Sequence, residues 1–355
     1  MVMQHFWNPE IRQLSPYTPG EQPKVANLVK LNTNESPYPP APGVLQAIKD
    51  TTDERLRLYP DPNAMSLKQA LADYYRLDES EVFVGNGSDE VLAHAFQGLL
   101  KHEGAALRFP DISYSFYPVY CGLYGITPQT VPLTPTLEID PEDYQGNTGP
   151  VIFPNPNAPT GRLMSLSEIE RILTLTPSFV VIVDEAYIDF GGESATQLIE
   201  QYPNLLVTQT FSKSRALAGL RLGMAFGQSH LIEALERVKN SFNSYPVDRL
   251  AMVAGVASLQ EETYFADTCR KVMTTREVLT KFLEENGFEV LPSHANFVFC
   301  RHPEHQASEL AQQLRDRAII VRYFDKPRID QYLRISIGSE EENQRLCEAL
   351  SEILG

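Results

Sequence analysis

The sequence predicts an α/β protein built on a mainly parallel sheet. Short β-branched runs alternate with helical patterns along most of the chain, the mark of repeated βαβ units. One of them, Phe179-Val180-Val181-Ile182-Val183, is apolar throughout, as a parallel strand buried on both faces requires. After about Pro246 the pattern changes to a long helical region followed by more strands, which predicts a smaller α+β domain.

Taken in order, residues 1–39 are rich in Pro, Asn and Tyr (Pro16, Pro19, Pro23, Pro37, Pro39) and read as an extended arm packing on the smaller domain. Residues 82–84 form a predicted strand, followed by the turn Gly85-Asn86-Gly87 and a helix over 89–100. Further strands are predicted at 151–153, 179–183, 205–207 and 222–226. A helical region over 249–286 then leads to strands at 297–300, 319–321 and 333–337 and a last helix from Glu341. The expected division is an arm (1–39), a large domain (40–250) and a small domain (251–355), with the boundary inside a long helix.

Composition narrows the function. The chain has 355 residues, 43% hydrophobic and 21% charged, in the range of soluble globular proteins. A formal charge of -16 argues against nucleic acid, whose phosphates an acidic surface repels. Any anion site must therefore be local and built from a few aimed donors. The four cysteines are scattered, which suits reduced thiols rather than disulfides or zinc. No apolar run approaches the roughly 20 residues that span a bilayer, and residues 7–10 lack an apolar signal core, so a cytoplasmic protein is expected. His302-Pro303-Glu304-His305 places a proline between two histidines in a predicted loop, so no metal site is expected.

Ligands of open α/β sheets bind beyond the carboxyl ends of the strands, so the residues there come first. Asp184, in Asp184-Glu185-Ala186-Tyr187, directly follows the apolar run. A carboxylate so placed is partly buried and needs a cationic partner, and a protonated pyridine nitrogen is one. After 205–207 come Thr210, Ser212, Lys213 and Arg221. Two hydroxyls and a guanidinium suit a phosphate dianion, and a lysine beside them can form an imine with a carbonyl cofactor. Gly85-Asn86-Gly87-Ser88-Asp89 opens a helix, where free N–H groups can cradle an anion, although a simple tight turn explains it equally. Asn155-Pro156-Asn157-Ala158-Pro159-Thr160-Gly161 is a turn by composition, or places an Asn on a cofactor hydroxyl.

The Pro-Thr-Gly turn, Asp-Glu-Ala-Tyr, Ser-Lys and Ala-Gly-Leu-Arg-x-Gly, in this order, resemble the fold type I aminotransferases that use pyridoxal phosphate (PLP). Segments 14–20, 31–35, 57–61 and 333–338 narrow the resemblance to the histidinol-phosphate branch, over nearly the whole chain. The resemblance implies a seven-stranded sheet in the large domain and a homodimer with shared sites. Lys213 would carry PLP as a Schiff base, Asp184 would keep its pyridine nitrogen protonated, Tyr187 would bond its phenolic oxygen and Tyr114 would stack on its ring. Thr210, Ser212, Arg221 and the backbone at Ser88 and Asp89 would hold its phosphate, with Tyr59 arriving from the neighbouring subunit. Arg334, Arg322 and Tyr17 would bind the substrate's anionic group. Where family members carry Asn before Pro-Thr-Gly this chain has Ala158, so Asn157 is the expected substitute and Asn155 the alternative.

The implied reaction is transamination between L-histidinol phosphate and 2-oxoglutarate, giving imidazole-acetol phosphate and glutamate in histidine biosynthesis. An aromatic amino acid aminotransferase and an L-threonine-phosphate decarboxylase share the overall pattern. A PLP-sensing transcription regulator would need a DNA-binding domain, which does not suit this acidic sequence.

Overall fold

The computed structural model describes residues 6–18, 20–23 and 27–355; Pro19 and residues 1–5 and 24–26 of the predicted arm lie outside the described residues. The described strands are β1 (Val29–Leu31), β2 (Val82–Asn86), β3 (Leu107–Pro110), β4 (Pro128–Val131), β5 (Val151–Pro154), β6 (Val181–Asp184), β7 (Leu205–Thr210), β8 (Leu222–Gly227), β9 (Glu289–Val290), β10 (Phe297–Arg301), β11 (Ile319–Tyr323) and β12 (Leu333–Ser336). They form two sheets.

The seven-stranded sheet has the order β2-β8-β7-β6-β5-β3-β4. Neighbours from β7 to β4 pair parallel, whereas β8 runs antiparallel to both β7 and β2. Every residue of β5, β6 and β7 is buried. Because side chains alternate along a strand, neighbouring residues serve two different cores. Val151, Phe153, Val181, Val183, Leu205 and Val207 pack with Leu67, Ile169, Ile172 and Ala251 on one face. Ile152, Ile182 and Leu206 pack with Leu92, Tyr117, Tyr120 and Leu235 on the other. Helices thus cover both faces, as the apolar run at 179–183 predicts.

The five-stranded sheet has the order β1-β11-β12-β10-β9. Its core joins Val29, Leu31, Val298 and Ile335 to Leu279, Leu314 and Leu346 of the flanking helices. Strand β1 departs from the extended arm expected there. Val29 and Leu31 are buried while Lys30 between them is not, and the segment pairs parallel with β11. Three residues are too few for the alternation to be read in sequence. The helical region 249–286 is two helices, Arg249–Gln260 and Glu262–Glu285, meeting at Glu261, which has left the helical conformation (φ -92°, ψ 45°). No helix among the described residues is long and apolar enough to cross a membrane.

Candidate active site

The parallel strands deliver their last residues to one edge of the large sheet: Pro154 from β5, Asp184 from β6 and Thr210 from β7. Strand β8 runs the other way, so its start, next to Arg221, reaches the same edge. Between them lies a cavity of about 130 Å³ lined by Ser88, Asp89, Tyr114, Pro154, Ala158, Asp184, Ala186, Tyr187, Thr210, Ser212, Lys213 and Arg221. Nine of the residues singled out from the sequence therefore meet around one space.

Asp184 is fully enclosed. Tyr117 donates to its Oδ2 at 2.9 Å and Thr208 to its Oδ1 at 3.3 Å. Burial nevertheless dominates and pushes the carboxyl up to about 6, the two hydroxyl donors offsetting only part of the cost. A cation in the cavity would reverse that balance. Glu185 points to the other face of the strand and belongs to a separate network. It accepts from Ser194 Oγ (2.6 Å), Ala195 N (2.7 Å) and Gln209 Nε2 (2.8 Å), and burial raises it to about 7.

Lys213 Nζ donates to the Thr33 carbonyl at 3.1 Å and sits 5.7 Å from the centre of the Tyr187 ring. Its loop is pinned from behind. The Ser214 hydroxyl bonds Asp189, and the Arg215 guanidinium lies 3.9 Å from the Phe265 ring centre while donating to Ser258 O at 2.8 Å.

The hydroxyls of Thr210 and Ser212 are 3.0 Å apart, and Arg221 meets Asp89 at 3.2 Å. Two glycines let these groups converge. A Cβ on Gly223 would lie 2.4 Å from Ser88 N, and one on Gly87 (φ +81°) would lie 2.5 Å from the Arg221 guanidinium. The first N–H groups of the helix Gly87–Ala95 have no partners within that helix, so they add donors to the same cradle. Tyr114 donates to Asp89 at 3.0 Å, which orients its ring beside them.

A second chamber of about 160 Å³ continues from the first, sharing Tyr114, Ala158, Tyr187 and Lys213. It adds Tyr17, Asn32, Asn34, Arg322, Phe324 and Arg334. Arg322 and Arg334 are directly opposite on β11 and β12. Arg334 donates to Asn32 O at 2.9 Å, and its buried Nε has no partner among the described residues. Burial, reinforced by Arg322, pulls the Arg334 guanidinium below its ordinary value. Like charges facing across a strand pair repel, so an anion between them is favoured.

Two sequence expectations fare differently. Asn157 does not line either chamber. Its amide donates to Ile112 O and Thr160 Oγ1, both at 3.1 Å, and it borders a separate cavity with Glu138 and Arg162. Asn155 is tied to the backbone of Met164 through both amide atoms. Ala158 alone of this turn reaches both chambers, and neither asparagine lines either one. Tyr59 lies outside the cavity of its own chain; it is 80% exposed and stacks on Tyr245 at 4.8 Å. The sequence reading missed Tyr117, Thr208, Thr33 and Asn34. Tyr117 carries a faint signal, three residues beyond Tyr114 and so on the same side of a helical turn; the others carry none.

These residues define an enzyme class. Residues 26–350 match the family described as aminotransferase class I and II, and the chain belongs to that family. It is 64% identical over 352 residues to histidinol-phosphate aminotransferase 1 of Hydrogenovibrio crunogenus, covering 99% of each chain. It is 60% identical over 349 residues to the histidinol-phosphate aminotransferase of Pseudomonas putida, covering 98% of this chain and 100% of that one. Among solved structures it matches histidinol-phosphate aminotransferase from Sinorhizobium meliloti in complex with pyridoxal-5′-phosphate. The TM-score is 0.87 at 24% identity, covering 99% of this chain and 98% of that one, which is a likeness of fold.

Proposed function

We infer that this chain is a PLP-dependent aminotransferase that transaminates histidinol phosphate in histidine biosynthesis, as its relatives' names describe for them. The observation that carries the reading is a pair of adjoining cavities that share Lys213, one lined by Asp184, Thr210, Ser212 and Arg221 and the other by the arginine pair. The residues fit the cofactor. The cradle at Gly87 and Gly223 exists only because a Cβ is missing there, and the enclosed Asp184 suits a pyridinium. Thr210, Ser212, Arg221 and the N–H groups at Ser88 and Asp89 would hold the phosphate, and Tyr114 would lie against the ring. When bound, PLP supplies an aldehyde for the amine and a ring that withdraws electrons from the carbon beside it.

The chain's own groups do the rest. With the cofactor in place, Lys213 Nζ would remove the proton from the substrate's amine-bearing carbon as a base and, as an acid, would deliver it to the carbon of the cofactor's former aldehyde. The Thr33 carbonyl holds that amine on the side of Tyr187 and the second chamber. Asp184 would hold positive charge on the cofactor's ring nitrogen, and Tyr187 would donate to its phenolic oxygen. Arg334 and Arg322 grip the substrate's far end, with Tyr17 beside them. A guanidinium fork accepts phosphate and carboxylate alike, which lets one site take histidinol phosphate and the glutamate/2-oxoglutarate pair in turn.

Two sheets, the larger complete before residue 228, support a division into arm 1–39, large domain 40–250 and small domain 251–355. Leu56, Leu58, Tyr59, Phe242 and Tyr245 are exposed large apolar side chains, with Tyr59 and Tyr245 stacked on each other, which supports a homodimer with Tyr59 reaching the partner's phosphate cradle. A one-chain mass at sedimentation equilibrium would contradict that assembly. The activity itself is tested by paired turnover assays with 2-oxoglutarate. Histidinol phosphate is expected to yield glutamate far faster than phenylalanine does, without release of carbon dioxide. Preference for phenylalanine, or carbon dioxide from threonine phosphate without a keto acid, would overturn it.

A further inference from the structure

Asn34 sits in an unusual place for a buried polar residue. It is 1% exposed, has left-handed backbone (φ +57°), and lines the second chamber between Thr33 and the sheet strand β12. Every polar group it carries has a partner. Its N–H donates to Ser336 Oγ at 2.9 Å, its carbonyl accepts from Asn296 Nδ2 at 3.0 Å, and its Oδ1 accepts from Ser336 Oγ at 2.7 Å. Its Nδ2 donates to the Tyr187 hydroxyl at 3.0 Å.

The direction of this chain follows from counting protons. Ser336 is buried, and its hydroxyl has one proton, which goes to Asn34 Oδ1. Turning the amide over would set two donors against Ser336 Oγ and leave the serine's own proton without an acceptor, at a desolvation cost. The amide therefore faces Tyr187 with its N–H, and the phenol oxygen is the acceptor. The phenol's proton is then left to point away from Asn34, into the cavity shared with Lys213. Ala158, which lines the same cavity, supplies no donor.

We propose that Asn34, oriented by Ser336, is a positioning residue that fixes Tyr187 as a hydrogen-bond donor toward the cofactor's phenolic oxygen. The inference rests on the PLP reading above and adds a residue to it. With no asparagine donor at position 158, the negative charge on that oxygen depends on the Tyr187 proton, and that proton's direction depends on Asn34. A donor on the oxygen steadies its charge and lowers the proton affinity of the neighbouring imine nitrogen.

The test is a pH titration of the visible absorbance band of the resting holoenzyme. Asn34→Gly keeps the left-handed backbone and removes the amide. It is expected to raise the band's midpoint by about one pH unit, the scale of one hydrogen bond. Asn34→Asp, whose carboxylate would accept the Tyr187 proton, is expected to raise it further. In a Tyr187→Phe background, Asn34→Gly should add no shift. Ser336→Ala should give a smaller rise in the same direction, and it carries the test if Asn34→Gly does not fold. An unchanged midpoint accompanied only by weaker PLP retention would mark Asn34 as structural and overturn the proposal. So would an equal shift in the Tyr187→Phe background. A wild-type protein with no visible band would instead overturn the cofactor reading on which this role rests.

Discussion

Asp184 and Glu185 are neighbours with opposite surroundings, and both are held above the usual carboxylate range by burial. Glu185 meets three donors and stays a structural acceptor, whereas Asp184, bonded by the Tyr117 and Thr208 hydroxyls and the Ala186 backbone, faces the cavity. A carboxyl whose folded value lies above its unfolded one binds its proton more tightly when folded. For Asp184, stability of the cofactor-free protein therefore falls as pH rises from about 3.8 through about 6, and the loss persists above that. The difference corresponds to on the order of 3 kcal/mol. Asp184→Asn should accordingly raise the melting temperature of the cofactor-free protein at pH 8, by about 5 °C, and hardly change it at pH 4. With PLP bound the order should reverse, because the wild-type carboxylate then has its cation. Thermal scans of both forms at the two pH values check this, and a variant less stable than wild type without PLP at pH 8 would contradict it.

At the scale of elements, β11 and β12 matter because their pairing places Arg322 and Arg334 side by side. Arg334 is anchored to Asn32 and packed between Phe297 and Phe324, with ring centres at 5.3 and 5.7 Å, while the Arg322 guanidinium lies 5.4 Å from the Phe324 ring centre. Arg334 is thus the fixed member and Arg322 the one that adds charge. Arg334→Ala should lower kcat/KM for both amine substrates by roughly a hundredfold, as loss of a desolvated charge contact does. Arg322→Ala should harm histidinol phosphate by more than about tenfold and glutamate much less, because a phosphate carries the higher charge. Half-reaction rates by stopped flow separate the two, and equal losses in both would refute the division. These strands also show what sequence can carry. Strand β6 was legible because five apolar residues end in an acid, and β12 because Leu, Ile and Ile alternate with Arg334 and Ser336. Strands β3 and β4 were not read. The first carries Arg108 inside, its charge taken up by the carbonyls of Tyr144 and Gly149; the second is an edge strand opening on Pro128 with three exposed residues. Asn34 was invisible for a different reason: its three partner residues, Tyr187, Asn296 and Ser336, lie far from it in sequence, so no local pattern marks it.

For the whole molecule, an acidic chain concentrates a few cations where anions must bind. Arg221 serves the cradle, and Arg322 and Arg334 serve the second chamber; Lys213 lies between them. Described residues of the arm, Tyr17, Asn32, Thr33 and Asn34, line the second chamber. Strand β1 joins the smaller sheet, and the residues just after it bring the Thr33 carbonyl to Lys213 and the Asn34 amide to Tyr187. The larger sheet thus supplies Asp184, Lys213 and the cradle, while the smaller one supplies the arginines. The sequence placed Lys213 in this role through its neighbours rather than its own identity. That Asn155 and Asn157 both turn away from the two chambers, by contrast, shows only with the chain folded. The most direct measurement is the absorbance spectrum of Lys213→Ala beside wild type, before and after histidinol phosphate is added. Wild type should show a visible band that bleaches on addition; Lys213→Ala should bind PLP without that band and turn over almost none. A Lys213→Ala protein that keeps both the band and its turnover would contradict the account.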